Sequence, residues 1–453
     1  DAFKLTKVAG TTWRGKEDGT KLTRIYGIAF DTKEALETHV KMLEEAEKRD
    51  HKKLGPLFGL FTFSDLVGGG LPLFTPKGTV IREQIAGFVQ DLQIPRGFQR
   101  VTIPHITKRD LYETSGHWDK YEDDLMKIVT REGHEFALKP MNCPHHTQIY
   151  ASEARSYRDL PVRFSEVTTV YRDEQSGELS GLTRVRMITQ DDAHIFCRFS
   201  QIEHEALLCW EIIDEFYKPF GMELQVRLSR RDPDDFSKYL GTPEVWEKAE
   251  ALLLEIIKKK GVQYIDGPGE AAHYGPKIDF ICHDSLGRSW QLATIQLDFN
   301  MPERFDLTCI NEKGEKERIV MIHRAVTGSL ERFMGVIIEH FAGAFPLWLA
   351  PVQVALLPIS DNFLDYAEKV KQELLQTLPL LRVTIDTRSE SIGKKIREAT
   401  IHKIPHQLIL GQKEMDAGMV AVRLRNGKDQ GQLLIKEYVL QLQDEILNKK
   451  IES

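Results

Sequence analysis

Apolar residues recur at two different spacings along this chain. Helical spacing, with apolar positions three and four residues apart, runs through TVIREQIAGFVQDL (79–92), PEVWEKAEALLLEIIKKKG (243–261) and GSLERFMGVIIEHFAG (328–343). Runs rich in β-branched and aromatic residues lie between these segments, which is typical of strands. The pattern predicts a mixed α and β protein, with long helices packed against sheets.

The first sixty residues predict two short strands and a connector helix. Residues 1–30 are rich in strand formers, whereas Asp31 and Glu34 have the spacing of a capping box at a helix start. One apolar stripe follows, formed by Leu36, Val40 and Leu43. Leu54-Gly55-Pro56 predicts the end of this helix.

Two later segments predict antiparallel hairpins. In VRFSEVTTVYRDEQSGELSGLTRVRMITQDDAHIFC (162–197), two β-rich runs surround a polar loop that contains Gly177 and Gly181. Arginines cluster where the runs meet the loop, at positions 172, 184 and 186. On local pattern alone, a solvent-exposed hairpin with salt bridges also explains them. KIDFIC (277–282) and WQLATIQLDF (290–299) predict the second hairpin.

After Pro351 the chain alternates between strand-like and helical segments. VQVALLPI (352–359) precedes a helical segment, and RVTIDT (382–387) precedes another before two further strands and a last helix. This order predicts a compact α/β domain with a partly parallel sheet. We therefore divide the chain into N-terminal strands and connector helix (1–60), a central domain (61–348) and a C-terminal α/β domain (349–453).

Composition and charge narrow the function classes. The 453 residues carry 61 Lys and Arg against 68 Asp and Glu, so a nucleic acid would have to be bound by a local basic patch. The chain contains no P-loop and no dinucleotide-binding fingerprint. Five scattered cysteines without a C-x-x-C pair predict reduced, intracellular thiols. The uncharged run 341–360 is interrupted by three prolines, which favours a linker and a buried strand over a membrane span.

One short stretch, KPMNCPHH (139–146), contains a candidate metal ligand, Cys143. His145 and His146 are too close along the chain to complete a tetrahedral site, so the candidate partners are His194 and His323, both in β-rich runs. Spacing alone cannot join three distant segments. A buried thiol and buried core histidines explain the same residues.

The order of several motifs adds a family resemblance. PKG before a long helix and FQRVTIP, then VTTVYRDEQSGELSGLTRVRMITQDDAHIF, then TGSLERFMGVIIEHF, resemble the three signature motifs of class II aminoacyl-tRNA synthetases. LKPMNCPHH, HYGPKIDF, ATIQLDF and MIHRAVTGSLERF narrow the resemblance to the threonyl-tRNA synthetases, with the bacterial form the more similar. It covers nearly the whole chain. It implies an antiparallel class II sheet flanked by helices, followed by an anticodon-binding domain with a mixed sheet.

The resemblance also implies a zinc ion in each subunit, bound by Cys143, His194 and His323. Three ligands and one open position are typical of a working zinc site. Such a metal would select threonine over valine, which lacks the hydroxyl group. The resemblance implies that the threonine pocket is formed by Met141, Gln190, Asp192, Tyr274 and Gln296.

For ATP, which would bind with Mg²⁺, the resemblance implies contacts to phosphates, adenine and ribose. Arg172 would neutralise the α-phosphate and the attacking carboxylate, and Arg332 would hold the γ-phosphate or stack on adenine. Lys277 would add charge near the α-phosphate, and His117 could help to deprotonate the tRNA ribose. The remaining implied ATP contacts are Glu174, Arg184, Gln291, Thr294 and Ser329.

The implied partners are threonine, ATP, tRNA(Thr) and a second copy of the chain, in the cytoplasm and without a membrane. Glu414 and Arg423 would contact anticodon bases, although Ser389 and Ser391 replace an Asn and a Lys that are common in the family. The family's N-terminal and editing domains would precede residue 1, so we expect serine errors that this chain cannot correct. Two rival classes are an inactive binding paralogue, which should have lost motif arginines or zinc ligands, and a zinc hydrolase, which should contain a motif such as H-E-x-x-H.

Overall fold

A computed structural model describes residues 2–13, 19–120, 123–284 and 287–451. Its N-terminal region begins with an antiparallel pair of strands, β1 (Phe3–Thr12) and β2 (Lys21–Ala29). Helix α1 (Lys33–Arg49) follows. The predicted cap at Asp31 is wrong, because the Thr32 side chain accepts the hydrogen bond from the Ala35 amide at 3.1 Å.

The connector is two helices, whereas the apolar stripe predicted one. Asp50 ends α1, and its side chain accepts a hydrogen bond from the Lys52 amide at 2.8 Å. This cap starts α2 (His51–Leu57), which contains Pro56. The predicted end at Leu54-Gly55-Pro56 is therefore wrong for α1. The spacing of hydrophobic residues does not reveal a polar capping residue between two helices.

The central region is built on an eight-stranded sheet in the order β12-β11-β13-β14-β17-β10-β9-β5. Its strands are β5 (Gln99–Arg100), β9 (Val162–Tyr171), β10 (Met187–Cys197), β11 (Leu224–Arg230), β12 (Tyr264–Pro268), β13 (Lys277–His283), β14 (Ser289–Asp298) and β17 (Val320–Ala325). The six strands from β11 to β9 pair antiparallel, and only β12 and β5 at the two edges pair parallel. Both predicted hairpins and the predicted fold class are confirmed.

Smaller elements surround this sheet. The short strands are β3 (Phe61–Thr62), β4 (Leu73–Phe74), β6 (Ile106–Lys108), β7 (Lys127–Val129), β8 (Glu135–Leu138), β15 (Thr308–Ile310) and β16 (Lys316–Arg318). The helices are α3 (Pro76–Gln93), α4 (Arg109–Ser115), α5 (His117–Lys120), α6 (Cys143–Ala151), α7 (Ile202–Tyr217), α8 (Pro243–Lys260), α9 (Asn300–Arg304) and α10 (Leu330–His340).

One face of the sheet is apolar and the other is polar. Strand residues such as Ile195, Ile295 and Ile322 are fully buried in one core together with apolar residues of α3, α7 and α10. Side chains alternate between the faces of a strand, so their neighbours in sequence point to the opposite face. That opposite face contains His194, His323 and Gln296, and it forms the floor of the candidate site.

The C-terminal region forms a second sheet with its own core. Its elements are β18 (Val354–Pro358), α11 (Leu364–Thr377), β19 (Val383–Ile385), α12 (Ile392–Ile401), β20 (His406–Leu410), α13 (Gln412–Ala417), β21 (Met419–Leu424), β22 (Asp429–Leu434) and α14 (Ile435–Leu447). β18 pairs parallel with β19 and β20, and the other pairs are antiparallel, as predicted.

Two arginines hold the segment between the sheets. Arg382 donates from Nε to the Ala350 carbonyl at 2.9 Å and from a terminal nitrogen to the Trp348 carbonyl at 2.7 Å. Arg425 donates to the Phe345 carbonyl. Burial lowers the pKa of Arg382 to about 10. Within the described ranges, no helix combines the length and the apolar character needed to cross a membrane.

Candidate active site

A cavity of about 450 Å³ lies over the polar face of the sheet. Its floor is formed by β10, β13, β14 and β17, and its walls by the loop 172–186 and the start of α10. This volume is in the range of small-molecule sites. The cavity has a Cys–His cluster (Cys143, His194 and His323) and an arginine cluster (Arg172, Arg184 and Arg332).

Strand pairing brings the two histidines together although 129 residues separate them. His194 on β10 lies directly opposite His323 on β17, and His323 lies opposite Gln296 on β14. Gln190 and Asp192 precede His194 by four and two positions, so the alternation along β10 puts all three side chains on the cavity face. Sheet register alone therefore fixes most of the floor.

The Cys–His cluster has the geometry of a metal site. The Cys143 sulfur and one nitrogen each from His194 and His323 lie within 4.8 Å of one another, and all three residues are buried. His194 Nε2 is 3.1 Å from His323 Nδ1. Cys143 is the first residue of α6, and burial together with the nearby Asp192 and Asp298 carboxylates raises the pKa of its thiol, so a bound cation would be needed to hold it as a thiolate.

The outer nitrogens of both rings have buried partners. His323 Nε2 is 2.9 Å from Asp298 Oδ2, and the other Asp298 oxygen accepts from the amides of Asn300 at 2.8 Å and Met301 at 2.9 Å. His194 Nδ1 is 2.8 Å from His146 Nδ1. A carboxylate behind a ligating imidazole fixes the ring and its tautomer.

Protonation also suits a metal. Burial lowers the pKa of His194 well below its ordinary value, so this ring is neutral near pH 7 and can offer a lone pair. Zinc bonds of roughly 2.0–2.3 Å place tetrahedral ligand atoms about 3.3–3.6 Å apart, close to the 3.1 Å between the two ring nitrogens. One thiol and two imidazoles at these distances therefore fit zinc.

Asp192 is held beside the Cys–His cluster by its own partner. Its Oδ2 accepts from Asn142 Nδ2 at 2.9 Å, and its Oδ1 lies 3.6 Å from His194 Nε2. The Tyr274 ring is 5.3 Å from the His323 ring, between centroids. Polar and aromatic groups thus converge on the space in front of the cluster.

Asp279 organises the opposite side of the floor. Its fully buried carboxylate accepts from Lys277 at 2.6 Å, Ser229 at 2.6 Å and Arg227 at 3.1 Å, and also from Gln291 at 2.8 Å and Thr294 at 3.0 Å. A β-bulge in the pairing of β13 and β14 allows Gln291 and Thr294, three positions apart, to reach one carboxylate.

The arginine cluster concentrates positive charge. Burial lowers the pKa of Arg332, and the neighbouring Arg172 and Arg184 lower it further. Arg332 is fixed by the Ser329 cap of α10 and by a 3.1 Å hydrogen bond from its Nε to the Thr183 carbonyl. Arg184 donates to Glu174 and Glu178, each at 2.8 Å. A half-buried site in which like charges are held together is suited to an anion.

His117 lies at the Cys–His cluster. Its Nε2 is 3.0 Å from the Met141 sulfur and 4.0 Å from the Cys143 sulfur, and its Nδ1 is 2.8 Å from Ser115 Oγ. Burial lowers the pKa of His117 to about 3, so the ring is neutral near pH 7.

Two protein families match this chain. The tRNA synthetase class II core domain (G, H, P, S and T) matches residues 125–341, and the anticodon binding domain matches residues 353–445. The first match contains every strand of the eight-stranded sheet except β5, and the second contains the C-terminal sheet.

Relatives that match nearly all of this chain decide the family. A threonine–tRNA ligase from Cytophaga hutchinsonii is 50% identical over 448 residues, which cover 98% of this chain and 69% of that protein. The chain belongs to the threonine–tRNA ligase family. The threonine–tRNA ligase of Gloeobacter violaceus is also 50% identical, over 99% of this chain and 73% of its own length.

Solved structures agree with this family. The RNA binding domain of threonyl-tRNA synthetase from Cryptosporidium parvum has a TM-score of 0.83 at 35% identity, covering 89% of this chain and 99% of that one. Prolyl-tRNA synthetase from Giardia lamblia has a TM-score of 0.69 at 20% identity over 90% of this chain and 80% of its own, a likeness of fold alone. The predicted enzyme class, a tRNA ligase of class II, is confirmed.

Most sequence-predicted site residues line this cavity, and His117 lies beside it. They are Met141, Cys143, Arg172, Glu174, Arg184, Gln190, Asp192, His194, Tyr274, Lys277, Gln291, Thr294, Gln296, His323, Ser329 and Arg332. Glu414 and Arg423 lie in the C-terminal region. The Glu414 carboxylate accepts from the Gly411 amide at 3.0 Å and from Gln432 at 2.6 Å, so both oxygens are already engaged.

Sequence reasoning missed four residues that support the candidate site from behind or beside it. Asp298 and Asp279 lie at even spacing from Gln296 and Lys277 on their strands, so strict alternation could have indicated both. His146 was set aside because it is close to Cys143 along the chain, yet it lies behind His194. No local signal indicated Arg227, because β11 joins the site through sheet order alone.

Proposed function

We propose that this chain activates threonine with ATP to threonyl-adenylate and transfers the threonyl group to the 3′ end of tRNA(Thr). The observation that carries the proposal is one cavity with a thiol and two imidazoles facing an arginine cluster. The first set suits a zinc ion and the second suits a polyphosphate. Family membership supports the same reaction class.

At the Cys–His cluster, Cys143, His194 and His323 would hold zinc, and Asp298 and His146 would keep both rings oriented. When bound, zinc would accept the amino group and hydroxyl of threonine, whereas a purely apolar pocket separates such isosteres by only about a hundredfold. Asp192, oriented by Asn142, would accept a hydrogen bond from the substrate. Gln296, Tyr274, Gln190 and Met141 would complete the pocket.

In the activation step, the threonine carboxylate attacks the α-phosphorus of ATP and pyrophosphate leaves. The nucleophile is already an anion, so the step needs placed cations and no protein base. Arg172 and Lys277 would neutralise charge around the α-phosphate, and Arg332 would bind the γ-phosphate or adenine. Mg²⁺ would accompany the nucleotide.

The rest of the nucleotide would bind to the loop and the bulged strand. Glu174 would accept the adenine amino group, and Arg184 would exchange a carboxylate partner for the outer phosphates. Gln291 and Thr294, oriented by Asp279, would contact ribose. Ser329 would support the bound nucleotide from the start of α10.

For the transfer step, His117 would accept the ribose proton, a task that requires a neutral ring. Glu414 and Arg423 would contact anticodon bases. We also propose a homodimer with α3 and β5 at the interface, and a cytoplasmic location, which suits the five free thiols.

Threonine-dependent ATP–pyrophosphate exchange tests the proposal directly. The wild type should exchange strongly with threonine, weakly with serine and very little with valine, and it should contain one zinc per chain. Cys143→Ser should lose both zinc and exchange, by more than about a thousandfold in kcat/KM. Cys197→Ser, at a fully buried thiol on β10 in the apolar core, is the matched control and should keep both.

Two results would contradict parts of the proposal. Folded wild-type protein without any exchange would remove the catalytic function and favour a binding paralogue. Full threonine exchange by zinc-free Cys143→Ser would remove the metal from substrate selection and leave the ligase reaction intact.

A further inference from the structure

A buried imidazole outside the cavity contacts the backbone of the loop 172–186. His51, the first residue of α2, is 3% exposed. Its Nε2 accepts a hydrogen bond from the Leu182 amide at 3.0 Å. Leu182 is fully buried, and it lies in the turn Ser180–Arg184, so the loop is fixed to the connector at this point.

The other side of the ring is fixed as firmly. His51 Nδ1 is 2.6 Å from Glu339 Oε1, which also accepts from the His51 amide at 3.0 Å. The second Glu339 oxygen pairs with Arg288. Because Nε2 is an acceptor, the ring proton must be on Nδ1, where it is donated to the carboxylate. Asp50, His51 and Glu339 are near enough to hold a metal, but these hydrogen bonds occupy both ring nitrogens.

The turn packs so closely on the His51 ring that only a glycine fits at one of its positions. Gly181 has φ +50°, and a Cβ there would be 2.2 Å from His51 Nε2. Two residues later, the Thr183 carbonyl accepts from Arg332 Nε at 3.1 Å. The next residue is Arg184. The imidazole therefore supports the short segment that links two members of the arginine cluster.

We propose that His51 is a positioning residue for ATP binding. It holds the turn Ser180–Arg184 in the position from which Arg184 and Arg332 can both reach the nucleotide. The inference rests on the proposed function, since it assumes that the arginine cluster binds ATP. It also gives the connector between the N-terminal strands and the central sheet a role in the activity. His51 does not touch the cavity, so it acts through the loop.

Kinetics of ATP–pyrophosphate exchange test this role with two isosteric changes. His51→Asn keeps a donor near Nδ1 but loses the acceptor at Nε2, so KM for ATP should rise about tenfold, as expected for one lost hydrogen bond. His51→Gln can place its oxygen near Nε2, so it should recover part of that loss. KM for threonine and zinc content should not change. His204→Asn, on an exposed side chain of α7, is the control and should match the wild type.

A second pair of variants moves the turn without changing His51. Gly181→Ala should push the turn off the imidazole and raise KM for ATP, whereas Gly177→Ala, in the same loop with open space around its Cβ, should not. His51→Asn combined with Gly181→Ala should be no worse than the stronger single variant. These variants keep the test decisive if His51→Asn folds poorly.

The outcomes distinguish failure of the proposed function from failure of the His51 positioning role. No exchange by the wild type would remove the proposed function itself. Wild-type exchange with an unchanged KM for ATP in folded His51→Asn and Gly181→Ala would overturn the positioning role. An equal rise in KM for ATP and for threonine would also overturn it, since that result indicates general damage to the fold.

Discussion

In the Cys–His cluster, two histidines face each other across neighbouring strands, and each ring has a buried partner behind it. In the arginine cluster, Arg184 lies on a turn with its side chain 46% exposed and is held by Glu174 and Glu178. One cluster is set by sheet register, and the other by the position of a loop. Under the proposed function, threonine selection would therefore lie on paired strands of the sheet, and nucleotide binding would lie on a loop whose contacts can change.

The largest effect on activity that would distinguish the two clusters is expected at Arg172. Arg172→Lys keeps the charge but loses the planar guanidinium, so exchange should fall about 10²–10³-fold in kcat, as when one transition-state donor is removed. Zinc content should stay at the wild-type level, because Arg172 is not a ligand or ligand partner in the Cys–His cluster. Metal analysis and exchange kinetics on the same preparation measure both. Loss of zinc in this variant would break the division between the two clusters.

A medium effect is expected behind the Cys–His cluster. Asp298→Asn weakens the partner of His323, so affinity for zinc should fall about 10–100-fold while KM for ATP stays unchanged. Competition with a chromogenic chelator measures the affinity. Asp306→Asn, at a 70% exposed side chain, is a suitable control. Equal zinc affinity in Asp298→Asn and wild type would show that this carboxylate does not tune the metal.

The smallest effect is expected outside both clusters, at Glu339. Burial raises the pKa of this carboxyl, but hydrogen bonds from His51 and Arg288 outweigh it, so the pKa lies below its ordinary value of 4.5. A lowered folded pKa stabilises the protein above the unfolded pKa, and this contribution is lost as pH falls through the folded value. Glu339→Gln should therefore cost about 1–3 kcal/mol at pH 7 and less below about pH 4.5.

Thermal unfolding at pH 7 and pH 4 checks the Glu339 prediction. The wild type and Glu339→Gln should differ at pH 7, and the difference should be smaller at the lower pH. A difference that stays constant across this range would show that the charge of Glu339 does not stabilise the fold. Zinc content and KM for threonine should not change, since the residue touches neither the ligands nor the cavity floor.

Local patterns in the sequence predicted the helices and strands better than they predicted the contacts between them. The β-rich run that contains QDDAHIF predicted a strand, and that strand puts Gln190, Asp192 and His194 on one face. The meeting of His194 with His323 depends on β17 lying between β14 and β10, which neighbouring residues do not encode. The family resemblance supplied this long-range link, because motifs in a fixed order carry information about the whole fold.

Other features could not be read from the chain at all. The bulge that brings Gln291 and Thr294 to Asp279 depends on a local mismatch between two strands. The His51 contact joins a helix start to a loop 131 residues away. Even the local cap at Thr32 was missed, because Asp31 and Thr32 are both good capping residues and only the backbone decides between them.

The arginines that hold the segment between the two sheets also limit changes in the distance between those sheets. Arg382 and Arg425 fix the backbone at Phe345, Trp348 and Ala350, so the two sheets cannot swing apart unless hydrogen bonds from two partly buried guanidinium groups break. If an RNA contacts the C-terminal sheet and the cavity at the same time, as the proposed function requires, the fixed distance between them would select that RNA by its length as well as by its bases.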